Sequence, residues 1–131
     1  MKTFLICPVR DADQQETAKV VKRLEREGWT VHYPPRDTRQ DDTTGLMICE
    51  RNLLAITHAD AVHVIWDGKS QGCLFDLGIA FALYKPIIVV SLPEATEGKS
   101  FQNMVTKWAE LCKETADNWA EADRQKTDQQ P

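Results

Sequence analysis

The stretch Asp67-Gly68-Lys69-Ser70-Gln71-Gly72-Cys73-Leu74-Phe75-Asp76 carries two carboxylates, a hydroxyl, a thiol and two glycines. It follows an apolar run, Ala61 to Trp66, and leads into residues with helical apolar spacing: Leu74-Phe75, Leu77, Ile79-Ala80 and Leu83. A strand opening through a glycine-rich turn into a helix is where open α/β sheets place their ligands. Ser70 and the backbone amides around Gly72 suit one anionic or hydroxyl group at a helix N-terminus. Asp76, about one turn into the helix, has two readings. It is an acid placed favourably near the positive helix end, or a reactive group at the crevice. Its company of Asp67, Ser70 and Gly72 favours the second.

Other chemistry-bearing residues are placed by the same logic. Cys7-Pro8-Val9-Arg10 ends the first apolar run, so Cys7 and Cys73 both fall near the pocket mouth. A catalytic cysteine needs a base partner, and no histidine is predicted beside either. Arg10, Arg36 and Arg39 are candidates for a phosphate or carboxylate clamp, with Arg10 best placed and the other two read more readily as part of a solvated loop. His63 reads as a packing histidine within a strand, and His58 as a cation at a helix C-terminus. Glu50 and Asn52 lie on a helix that could edge the pocket. The 4 cysteines and 3 histidines show no zinc spacing, so no metal is expected, and no cofactor either.

Several function classes are excluded. Gly68-Lys69-Ser70 ends like a Walker A loop, but His63 stands where its first glycine belongs; Gly98-Lys99-Ser100 fails likewise at Pro93. No G-x-G-x-x-G occurs, which argues against classical dinucleotide binding. The net charge of −4 and the absence of a basic stripe argue against a nucleic-acid polymer as partner. No apolar run approaches the roughly 20 residues of a membrane span, and the run before Cys7 is too short for a lipoprotein signal. A cytoplasmic protein with reduced thiols is expected. With 131 residues, 42% hydrophobic and 27% charged, the chain has material for one core.

The elements that must position these residues alternate. Lys2–Cys7 reads as a buried strand, and Asp11 or Asp13 caps a helix carrying Ala18, Val21 and Leu24 that stops at Gly28. Trp29–Tyr33 is a second strand, ended by Pro34-Pro35, and a long polar loop runs from Arg36 to Gly45. A helix over Leu46–Thr57 has Ile48, Leu53 or Leu54, and Ile56 as its apolar spine. The strand Ala61–Trp66, a helix over Gly72–Leu83 and the aliphatic strand Pro86–Ser91, expected to be buried on both faces, complete the pattern. An amphipathic helix from Phe101 to Trp119 or slightly beyond follows. The expectation is a three-layer α/β/α, flavodoxin- or Rossmann-like fold with a four-strand parallel sheet in the order 2-1-3-4. One domain would cover residues 1–121, with residues 122–131 a polar, frayed or disordered tail.

The residues Ser70-Gln71-Gly72-Cys73-Leu74-Phe75-Asp76-Leu77-Gly78-Ile79-Ala80-Phe81-Ala82-Leu83-Tyr84-Lys85-Pro86-Ile87-Ile88 resemble the signature of the nucleoside 2-deoxyribosyltransferase-like family. That signature reads serine, x, glycine, three residues, glutamate, x, glycine, x, alanine, x, alanine, two residues, lysine-proline and two apolar residues. Cys7-Pro8 and Asp60 match further family positions, and the likeness spans roughly residues 2 to 91. The resemblance implies chemistry at the N-glycosidic bond of a nucleoside or nucleotide. The family's glutamate, here Asp76, attacks the anomeric carbon, as in retaining glycosidases. Asp67 or Asp60 would then bind sugar hydroxyls or a base edge or help protonate the leaving base, and Ser70 with the Gly72 amide would hold the 5′ side. It also suggests a homodimer or larger homo-oligomer. The departure is the aspartate: its carboxylate falls short by roughly 1 Å, a misplacement that can cost about a hundredfold in rate. A nucleotide-type ligand-binding or sensing module without turnover and an NAD-type glycohydrolase are the alternative readings.

Overall fold

The computed structural model describes residues 1–10 and 12–128. Its chain folds as two compact units, Met1–Glu94 and Ala95–Pro131. In the first unit the elements are β1 (Lys2–Ile6), α1 (Gln14–Arg26), β2 (Thr30–His32), α2 (Pro34–Asp37), α3 (Leu46–His58), β3 (Ala61–Ile65), α4 (Gln71–Ala82) and β4 (Ile87–Ser91). The four strands form one parallel sheet in the order β2-β1-β3-β4. Right-handed crossovers then put α1 on one face and α3 with α4 on the other.

Local sequence explains each element. Asp13 caps α1, accepting the Gln15 N–H at 3.0 Å; Asp11, the other expected cap, lies outside the described residues. On the α1 face, Val21 and Leu24 pack on Leu5, Cys7, Val31 and Tyr33. Phe4, Ile6, Val62 and Val64 fill the sheet interior and are fully buried. Each such side chain contributes about 1.5–3 kcal/mol on leaving water.

Three details depart from the sequence reading. Pro34-Pro35 do not open a loop: they start the one-turn helix α2, because proline's fixed φ suits a first helical turn. Asp37 closes it by accepting the Tyr33 N–H at 2.8 Å. β4 is not buried on both faces, since it is the last strand of the sheet and Ile88 remains 42% exposed. The spine of α3 is also different. Leu53 and Leu54 are exposed, and the buried members are Asn52 and Ile56.

The second unit holds α5, Phe101–Asp128. The stretch from Ala122, expected to be a frayed tail, is helical through Asp128. Ser100 Oγ accepts the Asn103 N–H at 3.1 Å at the start of α5. The Asn103 amide ties down the preceding loop through Thr96 and Gly98. No helix among the described residues is long and apolar enough to cross a membrane.

Candidate functional site

β1 and β3 are neighbours whose connections leave in opposite directions, so their C-terminal ends form the crevice of the sheet. Cys7-Pro8 leaves β1 there, and the turn Trp66 to Ser70 leaves β3. The register between β3 and β4 shifts at Val64/Ile65. Such irregularities re-aim the chain beside functional sites. Trp66 fixes the redirected turn by donating its backbone N–H to the Ser91 carbonyl at 3.0 Å and its indole Nε1–H to the Ser70 carbonyl at 3.1 Å.

Asp67 shapes the turn from within. One oxygen, Oδ1, accepts the N–H groups of both Lys69 and Ser70 at 2.8 Å. Partial burial alone would raise its carboxyl, but the Ser70 and Lys69 amides outweigh that and hold it below the usual carboxylate range. It is therefore an anion at neutral pH, which removes it as a ready proton donor. Gly68 permits the turn: its φ of +80° is left-handed, and a Cβ would lie 3.0 Å from Pro93 Cγ. Ser70 is the N-cap of α4, its Oγ accepting the Cys73 N–H at 3.3 Å. Such caps contribute about 1 kcal/mol. By helix geometry, the amides of Gln71 and Gly72 are then the first-turn donors left for an incoming group.

Asp76 stands one turn further on, half-buried. Burial pushes its carboxyl up to about 7, against a smaller opposing effect from the Asn52 side chain, whose Nδ2 donates to Oδ2 at 3.5 Å. Three thiols sit close enough to feel its charge: Cys7 at the end of β1, Cys49 on α3 and Cys73 on α4. Burial, reinforced by neighbouring Cys73 and Asp76, pushes the Cys7 thiol up to about 12. Burial likewise pushes Cys73 up to about 11, and its Sγ contacts the Ile65 carbonyl at 3.7 Å. Neutral, buried thiols are not nucleophiles.

The structure thus gathers Cys7, Pro8, Asp67, Ser70, Gly72, Cys73 and Asp76 at one end of the sheet. Arg10 is exposed in the turn after Pro8. Asp60 is not part of this group. It enters β3 at the opposite edge, where its Oδ2 accepts the Lys2 N–H at 2.8 Å. Arg36 is committed elsewhere, to Glu25, Asp37 and the Val31 carbonyl. Arg39 pairs with Asp41 at the surface. Among the described residues, no group of three or more His, Cys, Asp or Glu side chains could hold a metal ion.

Asn52 is the site residue whose orientation sequence reasoning missed. The signal was present: Ile48, Asn52 and Ile56 recur at i, i+4 spacing, so Asn52 is the polar member of the buried stripe. A buried amide there must find partners, and one of them is Asp76.

The chain is an α/β protein with an all-parallel four-strand sheet, and a half-buried carboxyl stands at its switch point. The nucleoside 2-deoxyribosyltransferase family model matches residues 4–106, and the chain belongs to that family. Among curated proteins no sequence match is found. Two solved structures share the fold. The 2-deoxyribosyltransferase of the psychrotolerant bacterium Bacillus psychrosaccharolyticus superposes with a TM-score of 0.61 at 22% identity, over 74% of this chain and 77% of that one. The CMP N-glycosidase of Clostridium botulinum superposes with a TM-score of 0.55 at 19% identity, over 81% of each chain.

Proposed function

We propose that the protein cleaves or transfers at the N-glycosidic bond of a nucleoside or nucleotide, with Asp76 as the nucleophile. The observation that carries this reading is a half-buried carboxyl at the strand-end crevice, raised to about 7 and directly bonded to one amide donor. A group titrating near neutrality is ionised enough to attack and has shed the hydration that would blunt it.

An Asp76 carboxylate oxygen forms a bond to the anomeric carbon as the carbon–nitrogen bond breaks. The bonding pair leaves with the base, which takes a proton from water. The glycosyl ester on Asp76 is then opened by water, giving hydrolysis, or by a second base, giving transfer. The first-turn amides of α4 at Gln71 and Gly72 face the sugar's 5′ hydroxyl or phosphate. Arg10 adds positive charge at the rim for a phosphorylated substrate.

The test is incubation with a panel of nucleosides, nucleoside monophosphates and NAD, with free base read by chromatography. Base release that disappears in Asp76→Asn supports the reading, and the productive substrate distinguishes nucleoside from NAD-type chemistry. Saturable binding without release, unchanged in Asp76→Asn, would assign the pocket to ligand sensing instead.

A further inference from the structure

Behind Asp76 runs a continuous chain of side chains from β2, the residue after α2, α3 and α4. His32, the last residue of β2, contacts Thr38 Oγ1 through Nε2 at 2.7 Å. Thr38, just after α2, donates its hydroxyl to Asn52 Oδ1 on α3 at 2.9 Å. Asn52 Nδ2 reaches Asp76 Oδ2 on α4 at 3.5 Å. Thr38 is 4% exposed and Asn52 6%.

The direction of this chain is fixed by proton count. Asp76 Oδ2, when ionised, only accepts, so the Asn52 amide must turn its NH2 toward it. The Asn52 carbonyl oxygen then faces Thr38 and takes that residue's single hydroxyl proton. Thr38 therefore accepts from His32, which must carry its proton on Nε2. Every donor in the series points toward the Asp76 carboxylate. The far end is anchored too: the His32 ring stacks on Phe4 with centroids 5.2 Å apart and planes 10° apart.

We infer that His32, Thr38 and Asn52 form a positioning relay that aims the short Asp76 side chain at the crevice. This deepens the proposed function and rests on it for the catalytic part. An aspartate nucleophile has less reach than a glutamate, so its residual rotation matters more. A single directed donor on one oxygen restricts that rotation and leaves the other oxygen for attack. If the Asn52 amide turned over, its carbonyl would oppose the carboxylate. Thr38 and His32 are what prevent that turn.

The relay is not a histidine switch. Burial lowers His32 below its ordinary range, Asp37 raises it and Arg36 lowers it further, so the ring is neutral at physiological pH. Protonation at low pH would keep the Nε2–H that Thr38 uses. The titratable groups whose charge reaches Asp76 from the packed elements are Cys7, Cys49 and Cys73, all thiols held above their ordinary range and hence neutral. The acid limb of activity therefore reports Asp76 itself, as tuned by Asn52.

The test removes the hydroxyl and keeps the shape: Thr38→Val in the full chain, with Thr38→Ser as the rescue. Two readouts are taken. One is the carbon-13 carboxyl titration of Asp76, assigned by its loss in Asp76→Asn; it needs no turnover. The other is kcat and KM for base release. The relay predicts that Thr38→Val raises the Asp76 midpoint, lowers kcat about tenfold with KM little changed, and that Thr38→Ser restores both. An Asp76 titration identical in wild type and Thr38→Val would overturn the relay whatever the activity. A shifted titration in a protein that releases no base from any substrate would sustain the relay and sink the enzymatic role. Should Thr38→Val fail to fold, Asn52→Asp replaces the donor with a second carboxyl, and an unmoved Asp76 midpoint there counts equally against the relay.

Discussion

At the N-terminal edge of the sheet, Asp60 exchanges hydrogen bonds with Lys2: Oδ2 accepts the Lys2 N–H at 2.8 Å, and the Asp60 N–H donates to the Lys2 carbonyl at 2.8 Å. Lys85 Nζ there donates to the Thr57 and Ala59 carbonyls at the end of α3, each at 2.8 Å. At the C-terminal edge the chain invests differently. Asp76 has lost much of its water and receives one long hydrogen bond, at 3.5 Å. The same residue types serve opposite ends: charges matched by short bonds lock the fold at one, and at the other a desolvated carboxyl has little compensation. The first arrangement stabilises and the second costs stability, the usual signature of a working site.

The largest effect that could break this contrast is on activity. Asp76→Asn should lower base release by about a thousandfold or more, since a nucleophile has no substitute. Retention of most activity, measured by chromatography of the free base, would move the chemistry away from the C-terminal edge. Next comes pH. The reaction needs ionised Asp76, so kcat/KM should fall about tenfold per unit below a midpoint of about 7. A midpoint near the ordinary value of 3.8 would mean the crevice is wet.

Stability supplies the third effect, with a definite sign. The folded-state value of Asp76 lies above its ordinary 3.8, so its contribution to stability is fully present below that value. It is lost as pH rises through about 7. Asp76→Asn should therefore be more stable than wild type at alkaline pH, by about 2–4 kcal/mol at 1.36 kcal/mol per unit, the lower figure allowing for partial exposure. Urea denaturation at about pH 5 and about pH 9 measures it, with the difference smaller at the acid value and vanishing only below the ordinary 3.8.

The opposite edge should answer in reverse. Lys85→Met removes the cap on α3 and should cost about 1 kcal/mol, with kcat and KM of the folded fraction unchanged. The smallest effect belongs to Tyr84, which ends α4 with a left-handed φ of 56° and a side chain 93% exposed. Tyr84→Gly should stabilise by up to about 1 kcal/mol, because only glycine adopts that conformation without strain. Thermal unfolding resolves either variant.

The contrast also explains what was legible beforehand. Sheet order and the location of the crevice followed from alternating buried strands and one glycine-rich turn. Ser70, read as a group holding the 5′ side, is also the N-cap of α4, and Lys85, quoted only as part of the signature, caps α3. A fixed spacing across a turn and a helix preserves fold devices as readily as reactive groups. Asp60 entered the site candidates through the resemblance and not through its position, and the structure places it where β3 begins, a sheet's length from the crevice, with Oδ2 accepting the Lys2 N–H. Asn52 was seen and not oriented, because Leu53 and Leu54 offered a more apolar spine than the one used. Thr38 and His32 were out of reach, since contacts between β2, α3 and α4 depend on the one-turn helix that Pro34 begins.

The buried thiols beside Asp76 have a practical consequence. Cys7 and Cys73 are shielded and protonated, so alkylating reagents reach them only when the crevice end of the sheet opens. Cys49 and Cys112 are only half-buried. The slow phase of thiol labelling is thus a clock for opening of that end, and a ligand seated in the crevice should lengthen it.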